Sequence, residues 1–281
     1  MTSFNLKNLL KLFITASCFL FANLSTAQNF RILVTNDDGI ESPLLISLAQ
    51  ALSKLSNIEV VVSAPSENQS GSSHSSIGAP LAVRKVKIEG VTEAYSVSGR
   101  PADAVRFGLK EVGKTQSFDL VVSGINRGAN VGDISHLSGT VGAAMEAVFQ
   151  GVQAIAVSQE ITGVDTADSI EFITQLVPRY LAEPIQEGTV ISVNIPAGEH
   201  KGIAIRPMGD SYLGTQEYEL VSQSNNEQVY ERSISLQISE NENTDTFAYQ
   251  QGYITVTPLK FDWTAYESIQ TIRDWNLKLG D

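Results

Sequence analysis

The sequence predicts an α/β protein: a doubly wound, mostly parallel sheet with a C-terminal antiparallel β extension and a terminal helix. Three observations predict it. Short runs of branched apolar residues recur as buried strands, amphipathic helical patterns alternate with them to about residue 182, and polar, glycine-bearing loops follow the strands. Alternation of this kind means βαβ units, which place parallel strands side by side under helices on both faces.

Taken in order, Arg31–Val34 reads as a buried strand ending in Asn36-Asp37-Asp38-Gly39. Ser42-Pro43 then supplies an N-cap and a first-turn proline for a helix carrying Leu44, Leu48, Leu52 and Leu55 at helical spacing. Glu59–Ser63 is a second strand, followed by the polar loop Ala64–Ser76. Residues 81–88 and 92–98 alternate like the arms of a hairpin, and Pro101 opens a helix through Ala102, Val105, Leu109 and Val112. Phe118–Ser123 is the next strand and delivers a second glycine-rich loop, Gly124–Asp133. A helix begins near Ser138, Ala154–Ser158 is a strand, and a helix runs from about Asp165 to Ala182, where Pro178 predicts a kink or an early stop. Beyond residue 185 come strands at Val190–Ile195, Gly202–Arg206, Val229–Ile238 and Gly252–Thr257, joined in part by the polar stretch Ser239–Asp245. Tyr266, Ile269, Ile272, Trp275 and Leu277 mark a last helix. This reading makes residues 28–281 one domain, with an α/β core over 28–185 and a β-rich arm over 186–281 suited to subunit contacts.

The first 27 residues have the layout of a secretory signal peptide. Lys7 and Lys11 precede an apolar run, and Ser25-Thr26-Ala27 offers a cleavage site before Gln28. Cleavage before Cys18, as in a lipoprotein, would leave apolar Phe19-Leu20-Phe21 at the mature terminus, against that pattern. The expectation is export, to the periplasm, with no membrane attachment after cleavage. Losing two lysines and no acids takes the net charge from −12 to −14 and removes the single cysteine, so no disulfide supports the mature fold. That charge, with a pI near 4.7, argues against nucleic acid as a partner.

Three loops leave the carboxyl ends of predicted parallel strands, where open α/β sheets bind ligands. They offer Asp37 and Asp38, Ser70 or its neighbours, and Asn126 or Asn130. Adjacent carboxylates repel each other unless a cation lies between them, and oxygen donors of this kind suit Mg²⁺, Mn²⁺ or Ca²⁺. His74, His136 and His200 have no metal-ligand spacing. Ser138-Gly139-Thr140, opening a helix through small residues, is a candidate phosphate site; neither a Walker loop nor a G-x-G-x-x-G fingerprint is present. A hard-metal site beside an anion site points to metal-assisted hydrolysis of a phosphate ester.

Val34–Ile40, Ala64-Pro65 through Asn68–Ser75, Gly99–Asp103, Ser123–Asn130 and Ser138–Glu146 together closely resemble the SurE family of 5'-nucleotidases, as do Thr244-Asp245-Thr246 and Gly252–Leu259. The resemblance implies a Rossmann-like fold and hydrolysis of nucleoside 5'-monophosphates, with 3'-nucleotides or polyphosphate as further substrates of some members. It implies one divalent cation per subunit, Mg²⁺ or Mn²⁺, held by Asp37, Asp38, Ser70 and Asn126, and a homodimer or homotetramer exchanging C-terminal segments. Asp37 and Asp38 are then the foremost candidates for a part in catalysis. Two features depart from the family. Ile134 and Leu137, flanking His136, stand where an acidic residue and a tyrosine are usual, and the leader is atypical of cytoplasmic relatives. The altered loop leaves a second reading, a non-catalytic nucleotide- or phosphate-binding protein on the same fold. A haloacid-dehalogenase-type mechanism would need Asp-x-Asp after the first strand, where this chain has Asp-Asp.

Overall fold

The structure, a computed structural model, describes residues 29–210, 212–213 and 217–279; the expected leader, residues 1–27, lies outside them. Its centre is a nine-stranded sheet. Strand β1 (Phe30–Thr35) lies between β2 (Ile58–Pro65) and β5 (Leu120–Arg127), parallel to both. The chain winds outward from β1 through α1 (Pro43–Leu52) to β2, then to an edge hairpin of β3 (Val83–Val86) and β4 (Glu93–Val97). Helix α2 (Pro101–Lys110) carries it back to β5, and winding continues outward through α3 (Gly139–Phe149), β6 (Gln153–Gln159), α4 (Thr166–Ala182) and β7 (Thr189–Ile195). The direction of winding reverses between β1 and β5, so the crevice at their carboxyl ends is the topological switch point.

Alternate residues of each central strand face opposite layers. Ile32, Val34, Val60, Val62, Leu120 and Val122 pack with Leu45, Leu48 and Leu52 of α1 and Ile173, Val177 and Tyr180 of α4. Leu33, Val61 and Val121 face the other way, onto Val105 of α2 and the small residues of α3. Burial on both faces explains why these strands are almost continuously apolar.

Helix α4 runs through Pro178 to Ala182 and does not stop early. The proline lies on the exposed side, while Ile173, Val177 and Tyr180 anchor the turns around it in the core. The antiparallel character begins later than residue 186, because β7 pairs parallel with β6. Strand β11 (Ile254–Lys260) runs antiparallel to β7 and parallel to β8 (Ile203–Ile205). Strand β9 (Glu217–Gln223) pairs with β10 (Gln228–Ser233) in a separate exposed hairpin. The strand expected over Val229–Ile238 thus ends at Ser233, and Leu236 makes an isolated bridge to Leu213. Short α5 (Asp245–Gln250) follows the polar stretch, and α6 (Tyr266–Asp274) closes the described chain with no residue buried.

Asp245 ties this C-terminal third to the core. It is 2% exposed and accepts from Gly209 N (2.8 Å), Thr257 Oγ1 (2.9 Å) and Gly132 N (3.4 Å), so one carboxylate satisfies donors from three segments. Asp245→Ala would strand those buried donors and should destabilise the fold by on the order of 3 kcal/mol in urea unfolding. A loss below about 1 kcal/mol would refute this role.

Candidate active site

Strand β1 ends in a closed turn. The Asn36 side chain accepts from Gly39 N (3.2 Å) and donates to Gly39 O (3.0 Å), with Gly39 at φ +102°. A side chain at Gly39 would meet the Glu67 backbone carbon at 3.0 Å, so glycine is required both by conformation and by the next loop. That loop is stitched to the first by Ile40 N to Pro65 O (2.8 Å) and Gln69 N to Asp37 O (2.7 Å).

The acidic pair then joins every loop of the crevice. Asp37 is 2% exposed and accepts a 2.5 Å hydrogen bond from the Thr140 hydroxyl at the start of α3. Asp38 accepts from Asn68 Nδ2 (3.3 Å) on the second loop and Arg127 N (3.3 Å) at the end of β5. Asn126 donates its amide nitrogen to Gly128 O (2.6 Å), which leaves the amide oxygen as its ligating atom. Asp37, Ser70, Asn126 and Ser138 all line one cleft of about 420 Å³, with Asp38 held at its edge through Asn68 and Arg127.

Burial pushes the Asp37 carboxyl up to about 6, the negative charge of Asp38 adds to this, and the Thr140 hydrogen bond opposes it. Burial likewise raises Asp38, against the backbone N–H and charge of Arg127. The pair therefore presents carboxylates that resist ionisation, an electrostatic load that a bound cation relieves.

Of the expected phosphate site, Ser138 caps α3 by accepting from Val141 N (3.2 Å), which leaves its own O–H to donate. The Thr140 side chain is fully buried and committed to Asp37, whose carboxylate its backbone N–H also favours, so of the expected trio it is Ser138 that lines the cleft. Gly139 packs against Asp37: a side chain there would lie 2.8 Å from Asp37 Cβ and 2.7 Å from Ser72 Oγ. At Gly142 the corresponding atom would sit 2.1 Å from Ser73 O. The glycines of α3 thus let the Ser70 loop lie directly on the helix.

Sequence reasoning missed the clamp that keeps the loop there. Glu146, fully buried on α3, accepts from His74 Nε2 (2.8 Å), Arg106 (2.9 and 3.0 Å) and Gln150 (2.7 Å). Burial raises its carboxyl, but these hydrogen bonds prevail and hold it below the usual range. A lone acid in the apolar run Val141–Phe149 was the available signal. Arg232 and Ile234, after β9, also line the cleft, and nothing local in their sequence announces it.

The raised Asp37 value has a consequence for stability. Its folded value of about 6 lies above the unfolded 3.8, so its contribution is fully present below about pH 4 and is lost as pH rises through 6. Asp37→Asn, which cannot ionise, should stabilise chelator-treated protein at pH 7.5 by about 3 kcal/mol and change little at pH 3.5. Urea unfolding at both pH values measures this; no gain at pH 7.5 would remove the account.

Comparison with known proteins places this architecture. Residues 32–215 match the family profile described as "Survival protein SurE". A protein of Clostridium botulinum (strain Eklund 17B / Type B) named 5'-nucleotidase SurE is 37% identical over 251 residues, 86% of this chain and 98% of that relative. One of Vibrio cholerae serotype O1 (strain ATCC 39315 / El Tor Inaba N16961), with the same name, is 36% identical over 249 residues, 87% of this chain and 97% of its own. A crystal structure of the SurE protein from Aquifex aeolicus superposes with a TM-score of 0.76 at 33% identity, covering 88% of this chain and 100% of that one. The matched span contains β1 from Ile32 onward, β5, all three cleft loops and α3, and on this footing the chain belongs to the SurE family.

Proposed function

We propose that the chain is a divalent-cation-dependent phosphomonoesterase that hydrolyses nucleoside 5'-monophosphates to nucleoside and phosphate. Family membership supports a hydrolase of the 5'-nucleotidase class. The observation that carries the metal-dependent reading is the adjacent pair Asp37 and Asp38 at the switch point, with Ser70 and Asn126 beside them. Among the described residues no group of three or more His, Cys, Asp or Glu is placed to hold a metal. Two carboxylates with neutral oxygens instead suit one hard cation that keeps part of its water, Mg²⁺ or Mn²⁺. Held by Asp37, Asp38, Ser70 and Asn126, it would supply positive charge that polarises a phosphoryl oxygen and acidifies water.

The chain's own groups do the rest. Thr140 fixes the Asp37 carboxylate, and the Ser138 hydroxyl, on the cleft wall at the amino end of α3, would donate to the phosphate. In the reaction a water oxygen bonds to phosphorus, the ester P–O bond breaks, and the nucleoside leaves as its alcohol. 3'-Nucleotides and polyphosphate are further candidate substrates of the same site.

Exposed Tyr218, Leu220 and Tyr230 on the β9–β10 hairpin, with Trp275 after α6, support a homodimer or homotetramer joined through the C-terminal third. The leader pattern of residues 1–27 supports export to the periplasm. Among the described residues no helix is long and apolar enough to cross a membrane.

Asp37→Asn and Asp38→Asn should each lower AMP hydrolysis to the level of chelator-treated wild type, with circular dichroism unchanged. Metal-stimulated turnover by both variants would refute the ligand assignment, and tight AMP binding without turnover by the wild type would favour the binding-protein reading. Protein recovered from the cell envelope should begin at Gln28 and scatter light as a dimer or tetramer; a monomer, or an intact leader, would refute the corresponding part.

A further inference from the structure

We propose that His74, Glu146 and Arg106 are positioning residues for the metal centre: they hold the loop that carries Ser70, and so set how tightly the site takes up a divalent cation. The proposal rests on the metal-dependent reading above and adds residues that touch neither the cation nor the substrate.

The four candidate ligands are not carried alike. Asp37 and Asp38 lie in the closed turn directly after β1, and Asn126 belongs to β5, so the central sheet fixes three of them. Ser70 is exposed and stands in the middle of Ser66–Ser76, a run with no aliphatic residue and no ring but the His74 imidazole. Such a segment has no apolar contact to hold it, so its position depends on polar bonds.

Those bonds lie on both sides of Ser70. Before it, Gln69 N donates to Asp37 O (2.7 Å) and the Gln69 side chain accepts from Arg100. After it, Ser73 donates through N to Leu137 O (3.2 Å) and through Oγ to His136 O (2.7 Å). His74 Nε2 then donates to Glu146 on α3 (2.8 Å), and Arg106 on α2 donates to the same carboxylate (2.9 and 3.0 Å). Arg106 Nη1 also donates to Ser76 Oγ (3.1 Å), whose own proton goes to Asp103 of α2 (2.5 Å). The bonds close a ring, from the loop to α3, across to α2 and back to the loop.

Stability alone does not account for this ring. A buried ion pair contributes little over apolar packing, and the residues around Glu146 on α3 are otherwise small or apolar. What an apolar side chain at this position could not do is bind a segment that offers only polar groups. Losing a group that orients a metal ligand typically costs about 10- to 100-fold in metal affinity.

The test is Mn²⁺ binding to the full protein after chelator removal, read from the electron paramagnetic resonance of the free ion with no substrate present. His74→Leu keeps much of the side-chain volume and removes the donor, and should raise the Mn²⁺ Kd by about tenfold or more. His74→Gln, which keeps an N–H donor, should restore it to within about threefold of wild type. Arg106→Gln, at a half-exposed position, should move the Kd in the same direction as His74→Leu and replaces it should that variant fail to fold. Ser70→Ala should weaken binding by itself, and adding His74→Leu should weaken it no further, because the ring acts through Ser70. A merely structural ring would lower the urea stability of the chelated His74→Leu protein and leave its Mn²⁺ Kd within about threefold of wild type; that result overturns the proposal. Additive losses from Ser70→Ala and His74→Leu overturn it too. The Kd comparison holds whether or not AMP is hydrolysed, so failure of the phosphomonoesterase reading does not carry the proposal with it, whereas a wild type that binds no Mn²⁺ ends both.

Discussion

Two carboxylates at the end of β1 are the constraint around which the rest of the crevice is built. Acids this close, one of them buried, are tolerated only because each is held by donors from other parts of the chain. Thr140 holds Asp37 to α3, Asn68 holds Asp38 to the second loop, and Arg127 N holds it to the end of β5. Those bonds do not cancel the burial cost, as the raised Asp37 value records. The remainder is a local instability placed where a cation and a phosphate would meet, the common trade of stability for function.

Net negative charge would otherwise keep a phosphate ester away. What counters it is local: the amino end of α3, the guanidinium groups of Arg127 and Arg232, and the cation that the acidic pair is suited to hold. These sources act together only if the Ser70 loop lies flat on α3. Close approach is permitted by Gly139 and Gly142 and maintained by the buried Glu146 with His74 and Arg106. A buried ion pair of this kind contributes little net stability against an apolar alternative, but losing one partner leaves a buried charge unpaired. Its value here is in fixing the position of the loop.

The C-terminal third plays two parts that share one anchor. Asp245 locks α5 and the 207–210 segment against Gly132, the residue that opens the 3₁₀ segment lining the cleft. From that anchor extends the exposed hairpin, and the chain at its base brings Arg232 and Ile234 to the mouth of the cleft. The same third thereby carries both exposed apolar side chains and part of the lining of the cleft.

Sequence alone determined the layered α/β architecture, because strands buried on both faces must be continuously apolar and their covering helices must repeat every three to four residues. It also determined that three oxygen-rich loops converge, since parallel strands deliver their loops to one edge; Asp37, Ser70 and Asn126 do line one cleft, with Asp38 bonded at its rim. It missed β9 and α5, where residues exposed on both faces or a helix of six residues leave no period to read. Only the tertiary structure decided that the Thr140 hydroxyl serves Asp37, that Glu146 clamps the loop of His74, and that Ile234 and Leu137 line the same cleft. Each of these joins residues some 70 to 100 positions apart. Periodicity reports which side of an element is buried; which distant partner meets it there is set by packing of the whole chain.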